Sequence, residues 1–209
     1  MAAKHYVMVI DTRRCIGCHT CAVGCKSENN LPDGIWWNRT VTNGGDQMDT
    51  PKGIFPDLQM EFMTLSCQHC EDPACTKVCP VGATYKDEAT GIVMQDYDKC
   101  IGCRYCMVAC PYTGVRQFNW EEPQYATGFP VGSPDAVPHQ KNVVEKCIFC
   151  APRVAKGELP FCVEVCPARA RHFGDLNDPK SDVSELLRQR SHVQLLAEKG
   201  TDPSVYFLD

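Results

Sequence analysis

The densest chemistry in the chain lies in one stretch, Cys100-Ile-Gly-Cys103-Arg-Tyr-Cys106-Met-Val-Ala-Cys110-Pro111. Three thiols spaced in this way wrap one part of an iron–sulfur cube. The fourth, across three residues, sits about one helical turn further along and faces away from that cube. A motif of this kind needs a partner elsewhere, and the sequence supplies three more. They are Cys15, Cys18, Cys21 and Cys25; Cys67, Cys70, Cys75 and Cys79, with one gap two residues longer; and Cys147, Cys150, Cys162 and Cys166, with an eleven-residue gap. Pro80, Pro111 and Pro167 follow the last cysteine of three motifs, where fixed φ and a missing N–H stop a short helix. Lys26 takes that place in the first motif, and Cys25 is read as a ligand all the same. Gly17 and Gly102 share one motif position, which suits positive φ and close backbone approach.

Two other cysteine chemistries fit less well. A secreted cystine scaffold carries a signal segment and lacks repeated triplets. A zinc site takes four ligands from two pairs and gives no reason for the third cysteine or the trailing proline. His19 and His69 lie among the ligands, but four cysteines per site already suffice. Both histidines are therefore read as hydrogen-bonding or surface residues.

Pairing follows from the order of the motifs. The second and third are neighbours and form one module, and the first and fourth close around them as another. Exchange of the fourth cysteine within each module then predicts four sets: Cys15, Cys18, Cys21 with Cys166; Cys25 with Cys147, Cys150, Cys162; Cys67, Cys70, Cys75 with Cys110; and Cys79 with Cys100, Cys103, Cys106. The competing arrangement joins the first motif to the second and the third to the fourth. It would leave the long insertions separating partners.

The elements that must position these thiols are short. A strand is expected over 5–11 and a hairpin over 84–95, turning at 87–91. The first insertion, 27–66, contains Trp36-Trp37 as packing for its own small core and ends in a strand over 58–65. The second, 112–146, reads as an irregular loop held by Phe118, Trp120 and Tyr125. A helical turn over 153–157 closes on glycine. Val183, Leu186, Leu187, Val193 and Leu196 predict a helix face from 182 to Gly200 that packs on its own domain. An extended docked tail is expected at 205–208. The fold class is α+β: two ferredoxin-like modules of two [4Fe–4S] clusters each, with irregular insertions. Module A combines 1–66 and 147–174, module B is 67–111, 112–146 is an insertion loop, and 175–209 is a C-terminal helix and tail.

At 209 residues the chain suits one or two domains. Its formal charge is −5 with cysteines neutral. Sixteen bound thiolates and four cubes in the 2+ state would take it to about −13. Cations close to cysteines in sequence are the candidates to offset this: Arg13, Arg14, Lys26, Lys77, Lys99, Arg104, Lys146, Arg169 and Arg171, about half of them expected to be ordinary surface charges. No basic run points to nucleic acid. The apolar run at 6–10 is far too short to span a bilayer. No export signal is expected, since Cys15 rather than an apolar stretch follows Arg13-Arg14. The location expected is cytoplasmic, or the periplasmic face if the chain is exported with a partner.

Cys67-Gln-His-Cys70-Glu-Asp-Pro-Ala-Cys75 and Cys100-Ile-Gly-Cys103-Arg-Tyr-Cys106 resemble the four-cluster electron-transfer subunit of the dimethyl-sulfoxide-reductase family of molybdopterin enzymes. Phe173-Gly-Asp-Leu-Asn-Asp-Pro179 and the tail from Gly200 are more similar to polysulfide, tetrathionate and arsenate reductase relatives. The resemblance implies a non-catalytic relay with four [4Fe–4S] clusters, the Cys15 set nearest a large catalytic subunit and the Cys79 set at the far end. It implies a bis-guanine-dinucleotide molybdopterin in that partner and a membrane quinol-oxidising anchor or other donor. Nitrate reductase relatives have tryptophan at the place of Cys103 and a three-iron cluster, so Cys103 implies a complete fourth cube. Alternatives are a stand-alone soluble polyferredoxin and a zinc-stabilised assembly module. Substrate and direction of electron flow stay open.

Overall fold

In strand β1 (Tyr6–Asp11) the run Val-Met-Val-Ile buries side chains on both faces. Val7 and Val9 pack with Val183 and Leu208 on one side. Met8 and Ile10 pack on the other with Cys21, Phe149, Cys162 and Phe207. The sheet that holds this strand is therefore covered on both faces. The structure, a computed structural model, describes residues 3–43 and 49–209; residues 44–48 of the first insertion lie outside the described residues.

From β1 the chain runs through helix α1 (Thr20–Glu28) to the hairpin of β2 (Asn38–Asn43) and β3 (Glu61–Ser66). Helix α2 (Ala74–Lys77) precedes the hairpin of β4 (Thr84–Lys86) and β5 (Val93–Gln95). Helix α3 (Tyr105–Ala109) leads to β6 (Arg116–Phe118), which pairs antiparallel with β7 (Val144–Lys146). Then follow α4 (Ala151–Ala155), α5 (Phe161–Glu164) and β8 (Arg171–Asp175). Helix α6 (Asp182–Gln189), β9 (His192–Val193) and β10 (Val205–Leu208) complete the fold. The main sheet has the order β8-β1-β10-β9, with β1 parallel to β10 and antiparallel to β8. α6 covers one face through Val183, Leu186 and Leu187, and the cysteine-bearing loops cover the other.

Proline sets the helix lengths. α2, α3 and α5 stop one or two residues before the Cys-Pro pairs at 79, 110 and 166. α1 passes through Cys25 to Glu28, because Lys26 keeps the N–H that proline lacks. Lys26 then donates to the carbonyls of Pro32 and Ile35 at 2.8 and 3.1 Å, fixing the chain that leaves the helix.

Two expectations need correction. The C-terminal helix ends at Gln189 rather than Gly200, because Arg190 turns extended at φ −126° and ψ 146°. There its guanidinium grips the buried Asp11 carboxylate and the Asp209 carbonyl. Val193 is consequently in an exposed edge strand, not on a helix face. The tail is extended and docked as expected, and it forms an internal strand with Val205, Phe207 and Leu208 buried. The second insertion is not irregular throughout, since its two ends pair as β6 and β7.

Candidate metal centres

Each motif turns its first thiols inward through a left-handed residue. Gly17 and Gly102 have φ of 66° and 68°. A side chain on Gly17 would strike the Phe62 ring, and one on Gly102 the Asn142 carbonyl. The close approach is thus to the two insertions that roof the motifs. His69 and Phe149 occupy the same motif position in the second and fourth motifs, with φ of 44° and 52°. Bulky residues seldom adopt that region. Here both are fully buried, and their rings stack on each other at 3.6 Å. His69 Nδ1 accepts the N–H of Val93 at 3.2 Å, and burial holds the imidazole neutral.

The thiols gather around cavities. Cys15, Cys18, Cys21 and Cys166 line one, roofed by Thr40 of β2 and Thr64 of β3. Cys25, Cys147, Cys150 and Cys162 line a second, with Trp37, Asn38 and Ser66 over it. The first insertion therefore covers both. Cys79, Cys100, Cys103 and Cys106 surround a third beside Gln95 and Thr84. Cys67, Cys70, Cys75 and Cys110 lie within electrostatic reach of one another, the field of Cys67 and Cys75 acting on both Cys70 and Cys110.

Polar groups already point at these sulfurs. The N–H groups of Ala170, Phe149 and Thr84 donate to Cys166, Cys147 and Cys79 at 3.3, 3.4 and 3.5 Å. Asn29 Nδ2 donates to Cys25 at 3.6 Å and Cys150 at 3.9 Å. Arg116 Nη2 donates to Cys75 at 2.9 Å. Burial, then repulsion from neighbouring thiols, pushes Cys25 and Cys147 far up, Cys150 to about 11, and Cys70 to about 11. Burial likewise takes Cys110 to about 12. Bare thiolates are costly here, and bound iron would supply the charge that stabilises them.

Other buried atoms fit a sulfur-rich anion. Asn38 Nδ2, Thr64 Oγ1, Arg171 Nε and Nη1, and Arg116 Nε have no hydrogen-bond partner among the described residues. Asn38, Thr64 and Arg171 line the first two cavities. Burial opposes charge on Arg116 and Arg171, yet the surrounding cysteines hold both guanidinium groups above the usual range. Of the nine cations marked in the sequence, Lys146 and Arg171 are buried; Lys26 is half-buried and caps backbone carbonyls, and the other six are exposed. Arg116 escaped the sequence reading because it lies six residues beyond Cys110, in a stretch read as loop.

A buried network props the second cavity. Glu145 accepts from Trp37 Nε1 at 3.2 Å and bonds His139 Nδ1 at 2.7 Å, while His139 Nε2 meets the Asn29 carbonyl at 2.8 Å. Both ring nitrogens thus face acceptors. Burial opposes the charged ring, but the hydrogen bond and charge of Glu145 outweigh it, and the His139 pKa is raised. The linked stability is fully present below about pH 6.5, the unfolded value, and is lost as pH rises through the raised native value. Denaturant midpoints should fall over that window, and Glu145→Gln should flatten the slope. An unchanged slope in the variant would remove His139 as its source.

Residues 58–128 and 127–176 match the family model described as a 4Fe-4S dicluster domain. The class so defined is the ferredoxin-like domain that carries two such clusters. The chain is 51% identical over 98% of its length to a Halobacterium salinarum protein assigned as the iron–sulfur chain, of B type, of dimethyl sulfoxide reductase, covering 79% of that protein. It is 43% identical over 97% of its length to the B chain of the selenate reductase of Mesobacillus selenatarsenatis, covering 71% of it. It is 40% identical over 96% of its length to the arsenate respiratory reductase iron–sulfur subunit of a Shewanella species, covering 94% of it. The chain belongs to the iron–sulfur subunits, of B type, of the molybdopterin oxidoreductases typified by dimethyl sulfoxide reductase. Among the described residues no helix is long and apolar enough to cross a membrane.

Proposed function

We propose that this chain relays single electrons through four [4Fe–4S] clusters between a large molybdopterin subunit and a quinol-oxidising membrane subunit or other redox partner. The ligands are the four sets named above, each with three cysteines of one motif and the fourth of its partner motif. When bound, each cube takes up and releases one electron. The observation that carries the reading is the succession of the sets. Arg171 lines both the first and second cavities. Cys147 of the second set feels the field of Cys67 of the third. Arg116 reaches Cys75 of the third set and Gln95, which lines the cavity of the fourth.

The chain's own residues insulate the middle of this path and open its ends. Cys25, Cys150, Cys162, Cys67 and Cys75 are buried, whereas Cys18 and Cys103, in the two terminal sets, are exposed. Exposed Ile16 and Val23 lie beside the first, and exposed Ile101, Tyr105 and Val108 beside the other. Apolar surface next to an accessible cluster suits a partner that must approach within electron-transfer distance. The division into modules A and B is supported by β1 pairing with β8, by α1 packing on α5, and by α2 packing on α3. The hairpin of β6 and β7 lies beside β5 and extends module B beyond residue 111.

Native purification tests the partner. The chain should elute in a complex with a much larger subunit that contains molybdopterin. A fully cluster-loaded monomer, with no pterin in any fraction that contains the chain, would favour a stand-alone carrier and overturn the subunit reading.

A further inference from the structure

Among the described residues three cations are buried in the interior, and each stands between two thiol sets. Arg171, the first residue of β8, is 4% exposed and lines the cavities of both the Cys15 and the Cys25 sets. Lys146, the last residue of β7, is fully buried. Its ammonium donates to the carbonyl of Cys147 in the Cys25 set at 2.8 Å, and to the carbonyl of Val93, which packs with Cys75 of the Cys67 set. Arg116, the first residue of β6, is 3% exposed. It donates to Cys75 of the Cys67 set at 2.9 Å and to Gln95 beside the Cys79 set at 3.4 Å.

The two arginines hold equivalent places. Each opens the strand that follows the Cys-Pro end of a motif, Arg116 after Cys110-Pro111 and Arg171 after Cys166-Pro167. Nothing else in the described interior explains them. Neither guanidinium has a carboxylate partner among the described ion pairs, and both keep an Nε without any acceptor among the described residues. An unpaired buried charge of this kind is strongly unfavourable unless an anion sits beside it. A thiolate-bound cluster, which becomes more negative on reduction, is such an anion.

Building on the four-cluster reading, we propose that Arg171, Lys146 and Arg116 are spacer cations, one between each successive pair of clusters, and that each raises the reduction potential of the two clusters it separates. A fixed positive charge favours the reduced, more negative cluster, so its removal makes reduction harder. Because each cation serves both neighbours, its removal moves the two flanking potentials in the same direction.

The test is a redox titration of the holo complex followed by electron resonance, with the four signals assigned through Cys166→Ser, Cys25→Ser, Cys110→Ser and Cys79→Ser, each of which removes the exchanged ligand of one cluster. Arg171→Gln should lower the potentials of the first and second clusters, Lys146→Gln those of the second and third, and Arg116→Gln those of the third and fourth. The expected size is a tenfold or greater weakening of each affected reduction equilibrium, about 59 mV or more for one electron. Clusters not adjacent to the changed residue should hold their values. Arg171→Lys, Lys146→Arg and Arg116→Lys keep the charge and should keep the potentials. A glutamine variant that loses iron from its two flanking sites, while its charged counterpart retains it, supports the same role. Full iron content with unmoved potentials would overturn the proposal. So would equal shifts in all four clusters, or charged variants as impaired as the neutral ones. A wild-type protein without iron would instead sink the cluster reading itself.

Discussion

Replacing Cys166 with serine should remove the cluster held by Cys15, Cys18 and Cys21, at the opposite end of the sequence. Iron content should fall from about sixteen to about twelve per chain, the loss of one whole cube, or to about fifteen if a three-iron cluster survives. Cys166 lines the same cavity as those three thiols, and the Ala170 N–H holds its sulfur there at 3.3 Å. Cys162, only four residues earlier, lines the next cavity instead. The short helix α5 between them, stopped by Pro167, is what parts the two sulfurs. Cys110→Ser should likewise damage the cluster of Cys67, Cys70 and Cys75 and spare that of Cys100, Cys103 and Cys106. Electron resonance of the two variants reads this out. Loss of the Cys162 cluster in the first variant, with the Cys15 cluster intact, would mean that each motif closes on its own cube.

Stripping the iron should unfold both modules. Helices α2 to α5 have only four or five residues each. Isolated helices below about 12–15 residues are marginal in water, so these are held from outside themselves. Cysteines contribute to three of the four apolar clusters: Cys21 and Cys162, Cys25, and Cys75 with Cys106. Without iron these thiols enclose cavities and repel one another when ionised, and Arg116 and Arg171 are left as buried charges. The combined loss should exceed the roughly 5–15 kcal/mol that stabilises an ordinary domain. Anaerobic chelation should therefore abolish cooperative unfolding and most far-ultraviolet ellipticity. Residual structure, if any, is expected in the sheet, where Val7, Val9, Val183 and Leu208 form a core free of cysteine. A chelated protein with an unchanged cooperative transition would refute the idea that clusters hold the modules together.

What the sequence made legible is mostly local. The strand at Tyr6–Asp11, the hairpin turning between Lys86 and Val93, and the helix stops before proline all follow from short-range pattern. The C-terminal helix begins at Asp182 as its apolar pattern indicates, with Ser181 capping it by accepting the Ser184 N–H at 3.3 Å. Non-local pairing was not legible. Val205–Leu208 joins β1 in parallel register from the far end of the chain, and no turn signal encodes such a partner. The ring stack of His69 on Phe149 was hidden for another reason. Both stand where the other two motifs use glycine, and only tertiary packing holds such bulky residues at positive φ. Arg116 was missed because its role depends on burial between two motifs, not on nearness to either in sequence.

The proposed relay depends on sixteen cysteines holding four cubes. Anaerobic analysis of iron, acid-labile sulfide and zinc in the freshly purified holo protein tests this. About sixteen irons and about sixteen sulfides per chain are expected, with no stoichiometric zinc. About four zinc ions and no sulfide would contradict it outright.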